Sequence, residues 1–80
     1  MDMKDRVLNE LENAINETRK YMKHIDPSTK EYDSNAYVNY GIATGIFRGA
    51  CMTINNDDEF LDMLLEKISA FSSEFWNRQN

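Results

Sequence analysis

The middle of the chain has one charged side chain and all of the glycines. Residues 34–54 contain Arg48 as their only Asp, Glu, Lys or Arg, and Gly41, Gly45 and Gly49 follow one another at intervals of four residues, within GIATGIFRGA. A helix places residues four apart on the same side. Glycine is a poor helix former, so three of them on one side are best explained by a second helix backbone that approaches closely.

This central helix is predicted to be apolar on two sides. At about 100° per residue, its side chains divide into two broad apolar sets. The first set, called the glycine face below, is Val38, Gly41, Ile42, Gly45, Ile46, Gly49 and Met52. The opposite set is Tyr40, Ala43, Phe47, Ala50 and Ile54. A helix that is apolar on two sides has to be covered on two sides, so we expect the glycine face to be a helix-packing surface or a dimer interface.

A narrow polar wedge separates the two apolar sets. It contains Tyr37, Thr44 and Arg48. A guanidinium beside two hydroxyl groups can bind an anionic ligand or a carboxylate of a partner. The alternative is an ion pair from Arg48 to an acidic residue of another helix, either in the same chain or in a second subunit.

The N-terminal segment has the periodicity of an amphipathic helix. From Leu8 to Ile25, mainly apolar residues recur every three or four positions, and the other positions mix acidic with basic side chains. Asp26-Pro27 ends the pattern, because proline and the residue before it both disfavour a helix interior. Residues 26–33 are polar and are predicted to form a loop.

The C-terminal segment is a third helix, with apolar residues three or four positions apart from Leu61 to Phe75. Only Asn55 and Asn56 lie between it and the central helix, and so short a turn makes consecutive helices antiparallel neighbours. The sequence predicts an all-α fold, either a three-helix antiparallel bundle or a helical hairpin with a third helix. Residues 1–80 form one domain, with helices at about residues 3–25, 35–54 and 57–78.

The sequence does not decide what covers the glycine face. The two alternatives are a helix of the same chain and a second copy of the protein. Large aromatic side chains near the C-terminus favour the second copy, since three short helices are expected to leave part of them exposed. These predicted partner-binding aromatics are Phe71, Phe75 and Trp76. The sequence therefore predicts a homodimer.

Catalytic, metal and cofactor sites are not predicted. His24 is the only histidine and Cys51 the only cysteine, which leaves no basis for a histidine-centred triad, a thiolate metal cluster or a disulfide within the chain. Cys51 is expected to be buried, and its reduced state fits a cytoplasmic protein. Ala36–Ile54 is close to the length of a membrane span, but Arg48 near its middle argues against insertion.

The net charge of −5 argues against direct binding to nucleic acid and against binding to an anionic membrane surface. We expect a non-enzymatic helical interaction module, homodimeric, acting as a small cytoplasmic accessory or regulatory factor. Phages and mobile elements often encode proteins of this kind, although no motif indicates such an origin.

Two other functions remain open. One is an acidic inhibitor that occupies a nucleic-acid-binding surface of a partner protein, with carboxylates in the place of phosphates. Its acidic residues would be Asp57, Asp58, Glu59, Asp62, Glu66 and Glu74. The other is an oligomer that sequesters an anionic ligand between subunits through Arg48 and tyrosines. Strongly salt-dependent binding to a basic protein would distinguish the inhibitor.

Overall fold

The computed structural model describes residues 2–77 of the chain. They form three α-helices: α1 (Met3–Met22), α2 (Ser34–Thr53) and α3 (Asp58–Asn77). No strand occurs within the described residues. The all-helical prediction is confirmed, and α2 and α3 begin within one residue of their predicted starts. The predicted end of the third helix, at Arg78, lies outside the described residues.

The first helix ends earlier than predicted, at Met22 rather than at Ile25. The backbone N–H of His24 donates to the carbonyl of Tyr21, which tightens the last turn. Ile25 then pairs with Tyr32 in an isolated antiparallel bridge. The helix therefore ends before Asp26-Pro27, and the connecting segment is a small hairpin rather than an irregular loop, with the Lys30 N–H donating to the Asp26 carbonyl across its turn.

Each helix begins after an aspartate that satisfies backbone N–H groups of the first turn. Asp2 accepts from the N–H of Lys4, and Asp33 accepts from the N–H of Asn35 at 2.8 Å. Asp57 accepts from the N–H of Phe60 at 3.1 Å. An aspartate at this position is among the strongest helix-start signals.

Ion pairs and aromatic contacts define the directions of the three helices. The pairs between α1 and α3 are Lys4–Asp57, Glu12–Lys67 at 3.4 Å and Arg19–Glu74 at 3.0 Å. Residue numbers increase along both helices in step, so α1 and α3 run parallel. Tyr40, near the start of α2, contacts Trp76 at the end of α3. The helix between them is therefore antiparallel to both, which is an up-down-up bundle.

The core lies between all three helices, but α2 contributes only small side chains to its fully buried part. These are Ala36, Ala43 and Ala50, seven residues apart and called the alanine face below. The backbones of α1 and α2 consequently approach more closely than either approaches α3. Large residues of α1 and α3 fill the rest of the core. They are Leu11, Ile15 and Met22 of α1 and Leu64, Ile68, Phe71 and Phe75 of α3.

Within residues 2–77, no helix combines the length and the apolar character that crossing a membrane requires.

Candidate functional site

The bundle leaves most of the glycine face of α2 uncovered. A Cβ atom built at Gly41, Gly45 or Gly49 would have no atom within 4 Å outside its own stretch of helix. Val38 is 60% exposed and Met52 is 83% exposed. Neither α1 nor α3 therefore lies on the glycines. Of the two coverings that the sequence left open, coverage by the same chain does not occur within the described residues.

The alanine face is covered instead, because of its aromatic neighbours. Tyr40 and Phe47 flank the alanines and are half-buried against the core. Turning α2 so that the glycines faced inward would expose both aromatic side chains to water, and aromatic burial contributes far more apolar area than the small residues do. The prediction of two apolar sides thus corresponds to one covered side and one open side.

One edge of the glycine face borders a groove between α1 and α2. Ile46 is half-buried there and packs partly on the core, so it belongs to the groove rather than to the open surface. The groove has a volume of about 260 Å³ and opens beside Gly49. Its remaining lining residues are Met3, Arg6, Val7, Glu10, Ala50 and Thr53. Its floor is mainly apolar, and its charged residues lie on the side of α1.

The predicted polar wedge does not form one joint site. Thr44 donates its hydroxyl to the carbonyl of Gly41 at 3.0 Å, which uses the group within α2. The ring of Tyr37 lies edge-on to Phe75, with centroids 5.5 Å apart. Arg48 alone points to solvent, and it forms no ion pair with any acidic residue of the described chain.

Two of the three predicted partner-binding aromatics are core residues, so that prediction is wrong for them. Phe71 is 1% exposed and Phe75 is fully buried. Phe75 stacks on Tyr40 with ring centroids 4.3 Å apart and planes 12° from parallel. Trp76 is half exposed, and its indole N–H donates to the Tyr40 hydroxyl at 3.1 Å. Small alanines on α2 leave room for both phenylalanines, which is why they fit inside so short a bundle.

Tyr32 is a buried residue that the sequence analysis placed in a polar loop. It is 5% exposed, and its hydroxyl donates to the backbone carbonyl of Phe75 at 2.5 Å. That carbonyl is in the last turn of α3 that the structure describes. The available signal was the apolar pair Ile25 and Tyr32 at the two ends of an otherwise polar segment.

Cys51 is exposed rather than buried as expected, because the neighbouring Ala50 occupies the inward position. Among the described residues, no group of three or more His, Cys, Asp or Glu side chains is arranged to hold a metal ion.

The acidic residues of α3, together with Asp57 directly before it, fall into two groups. Asp57 and Glu74 form ion pairs with Lys4 and Arg19 of α1. The hydrogen bond from Lys4 lowers the pKa of Asp57, with a further contribution from the Phe60 N–H. The carboxylates that remain exposed are Asp58, Glu59, Asp62 and Glu66.

Comparison with known proteins adds no family to this geometry. No protein-family model matches the chain, and neither the curated proteins nor the solved structures give a match. Function has to be inferred from the surface of the bundle itself.

Proposed function

We propose that this protein is a non-enzymatic interaction module that forms a homodimer through the glycine face of α2, and that it acts as a small cytoplasmic accessory or regulatory factor. One observation supports this most strongly. Three glycines lie in a row on a side of α2 where an added Cβ atom would meet no other part of the described chain within 4 Å. The exposed apolar side chains of Val38, Ile42 and Met52 lie beside them.

Helix energetics make an uncovered glycine row costly in an isolated bundle. Each glycine in a helix interior is less favourable than alanine by about 1 kcal/mol, so three of them give up roughly 3 kcal/mol. That is a large part of the 5–15 kcal/mol that typically stabilises a folded domain. Alanine would meet no obstacle at any of the three positions. A second helix that packs closely on the glycines supplies the compensation that the single bundle lacks.

The composition of the face supports a protein partner rather than water. Exposed apolar residues that are scattered need no explanation, whereas a contiguous group of them marks an interaction surface. Arg48, at the edge, is the only charged residue of α2. The exposed positions of α1, by contrast, carry charges along its length, among them Glu10, Glu17 and Lys20.

Sedimentation equilibrium of a matched pair of variants tests the proposal. Gly45→Leu places a large side chain at the centre of the glycine face, and Ser69→Leu places the same side chain at an exposed position of α3. We expect the wild type and Ser69→Leu to sediment as dimers of the 9.4 kDa chain at micromolar concentration. Gly45→Leu should sediment as a monomer with an unchanged helical circular dichroism spectrum. A wild type that is monomeric, or a Gly45→Leu variant that stays dimeric, would refute the proposed interface.

The acidic inhibitor is the second candidate, supported by the four exposed carboxylates in the first half of α3. The case for it is weaker than for the dimer, because Asp57 and Glu74 are used in ion pairs within the bundle. Binding to a basic protein that weakens steeply with added salt would favour it.

The ligand-sequestering oligomer is a further candidate. Of the residues predicted for its ligand site, only Arg48 is exposed and unpaired within the described bundle. Calorimetric titration with anionic nucleotides tests this candidate.

A further inference from the structure

We propose that two copies pack their α2 helices antiparallel, with a two-fold axis beside Gly45, and that Ile42 of each copy inserts into the groove beside Gly49 of the other. This inference rests on the proposed homodimer and adds its direction and register. The occupant of the glycine face is then a second copy of this chain, and no other protein is required.

The first support is that the residues of the glycine face are arranged nearly symmetrically about Gly45. Gly41 and Gly49 lie four residues to either side, and Val38 and Met52 lie seven residues to either side. In an antiparallel pair centred on Gly45, each residue faces the one at the equal distance on the opposite side. Glycine therefore opposes glycine at the closest approach, and one exposed apolar side chain opposes another at each end.

The second support is the groove, which lies on the flank that antiparallel packing brings to the other copy. Ile42 is 50% exposed and lies about 60° around the helix from Gly45, toward α1. A two-fold axis perpendicular to both α2 helices places the side that faces α1 in one copy next to the same side in the other copy. Ile42 therefore meets the α1 side of the second copy. Along the helix axis, Ile42 of one copy is level with residue 48 of the other copy. That position is next to Ile46 and Gly49, which line the groove of the second copy. A groove of about 260 Å³ is larger than an isoleucine side chain.

The parallel arrangement fits the same surface less well. A two-fold axis along the helices would bring the Ile42 flank against the Arg48 flank of the second copy. The grooves would then stay empty and each guanidinium would border an apolar side chain, which costs free energy when a charge is desolvated without a partner. In the antiparallel arrangement both Arg48 side chains lie on the other edge, about 9 Å apart along the helix axis and open to water.

Cysteine crosslinking distinguishes the two directions. In a Cys51→Ser background, which removes the native exposed thiol, we would prepare Val38→Cys and Met52→Cys as separate proteins. Both positions are exposed in the bundle, so both variants should fold. In the antiparallel pair, residue 38 of one copy is level with residue 52 of the other, whereas two copies of residue 38 are about 21 Å apart along the axis. A short bismaleimide should therefore crosslink the equimolar mixture and leave each variant alone uncrosslinked.

The other outcomes separate this inference from the proposed function. Efficient crosslinking of Val38→Cys with itself would show parallel packing and overturn the inference while the homodimer stands. Absence of crosslinks in a preparation that sediments as a dimer would overturn both the register and the interface. A chain that sediments as a monomer would refute the proposed function, and the inference with it.

Discussion

The alanine face and the glycine face of α2 differ in what covers them, although both consist of small residues at regular spacing. Ala36, Ala43 and Ala50 are buried in the core between the helices, whereas the glycines are open to solvent. Small residues permit a close approach on either side of the helix. The side that the bundle covers is determined by the large residues beside them, because packing Tyr40 and Phe47 against the core removes the apolar area of two aromatic rings from water.

The two faces also differ in how their small residues affect the stability of the helix. Alanine is the best helix former, so the alanine face combines close packing with a stable helix. Glycine allows a still closer approach of backbones but weakens the helix that contains it. A bundle that only needed to fold would be more stable with alanine on both faces. The glycines are therefore better explained by a contact outside the single bundle.

The largest expected effect is on the covered face. Ala43→Leu introduces three additional carbon atoms at a fully buried position of α2, and we expect a loss of about 1–3 kcal/mol in the free energy of unfolding. Urea denaturation followed by circular dichroism measures it. Gly45→Leu is the matched control, and in dilute solution it should unfold at the wild-type urea concentration or above. Equal losses in both variants would remove the distinction between the faces.

A smaller effect of the opposite sign is expected on the open face. Gly45→Ala should raise the stability of the dissociated chain by about 1 kcal/mol, because alanine is the better helix former and its methyl group meets no atom within 4 Å. Thermal unfolding at concentrations below dimerisation measures this gain. The same variant should dimerise less tightly than the wild type. A decrease in the stability of the dilute chain would mean that something within the bundle covers Gly45.

Acid should act on the bundle and spare the glycine face. The pKa of Asp57 is lowered in the folded chain by its hydrogen bond from Lys4, and that of Asp26 is lowered by its hydrogen bonds from Ser28. Their stabilising contributions are present above the unfolded pKa of about 3.9 and are lost as pH falls through the lower folded values.

Urea denaturation at a series of acidic pH values checks this expectation. Asp57→Asn should be less stable than the wild type at neutral pH and should lose less stability on acidification. The glycine face contains no carboxylate, and Glu10 is the only acidic residue that lines the groove beside it, so the dimer affinity of protein that is still folded should change little over the same range. A dimer that dissociates in acid before the chain unfolds would instead place further carboxylates in the interface.

The smallest effect is expected at Arg48. Its side chain is exposed and unpaired within residues 2–77, so Arg48→Ala should change the unfolding free energy by less than about 0.5 kcal/mol. Arg19→Ala is the comparison, because Arg19 pairs with Glu74 and also lies 5.2 Å from the Phe71 ring centroid. Arg19→Ala should destabilise the bundle more. A large loss in Arg48→Ala would assign that side chain a structural role.

The helices and the two apolar sides of α2 could be predicted from the sequence, because both follow from local periodicity. Which apolar residues remain exposed could not, since that depends on how three helices share one core. Phe71 and Phe75 were expected at the surface and are buried because the alanines leave room for them. The burial of Tyr32 could not be predicted either, because its partner, the Phe75 carbonyl, is distant in sequence.

The most direct test of the glycine face as a self-association surface is a series of methyl NMR spectra recorded as the protein is diluted. We predict that the methyl resonances of Val38, Ile42 and Met52 shift with concentration, along a curve that matches the change in sedimenting mass. The methyl resonances of Leu65, which is 47% exposed on α3, should not move. Shifts at Leu65 with constant resonances at Ile42 and Met52 would contradict the account, because the chain would then associate through α3.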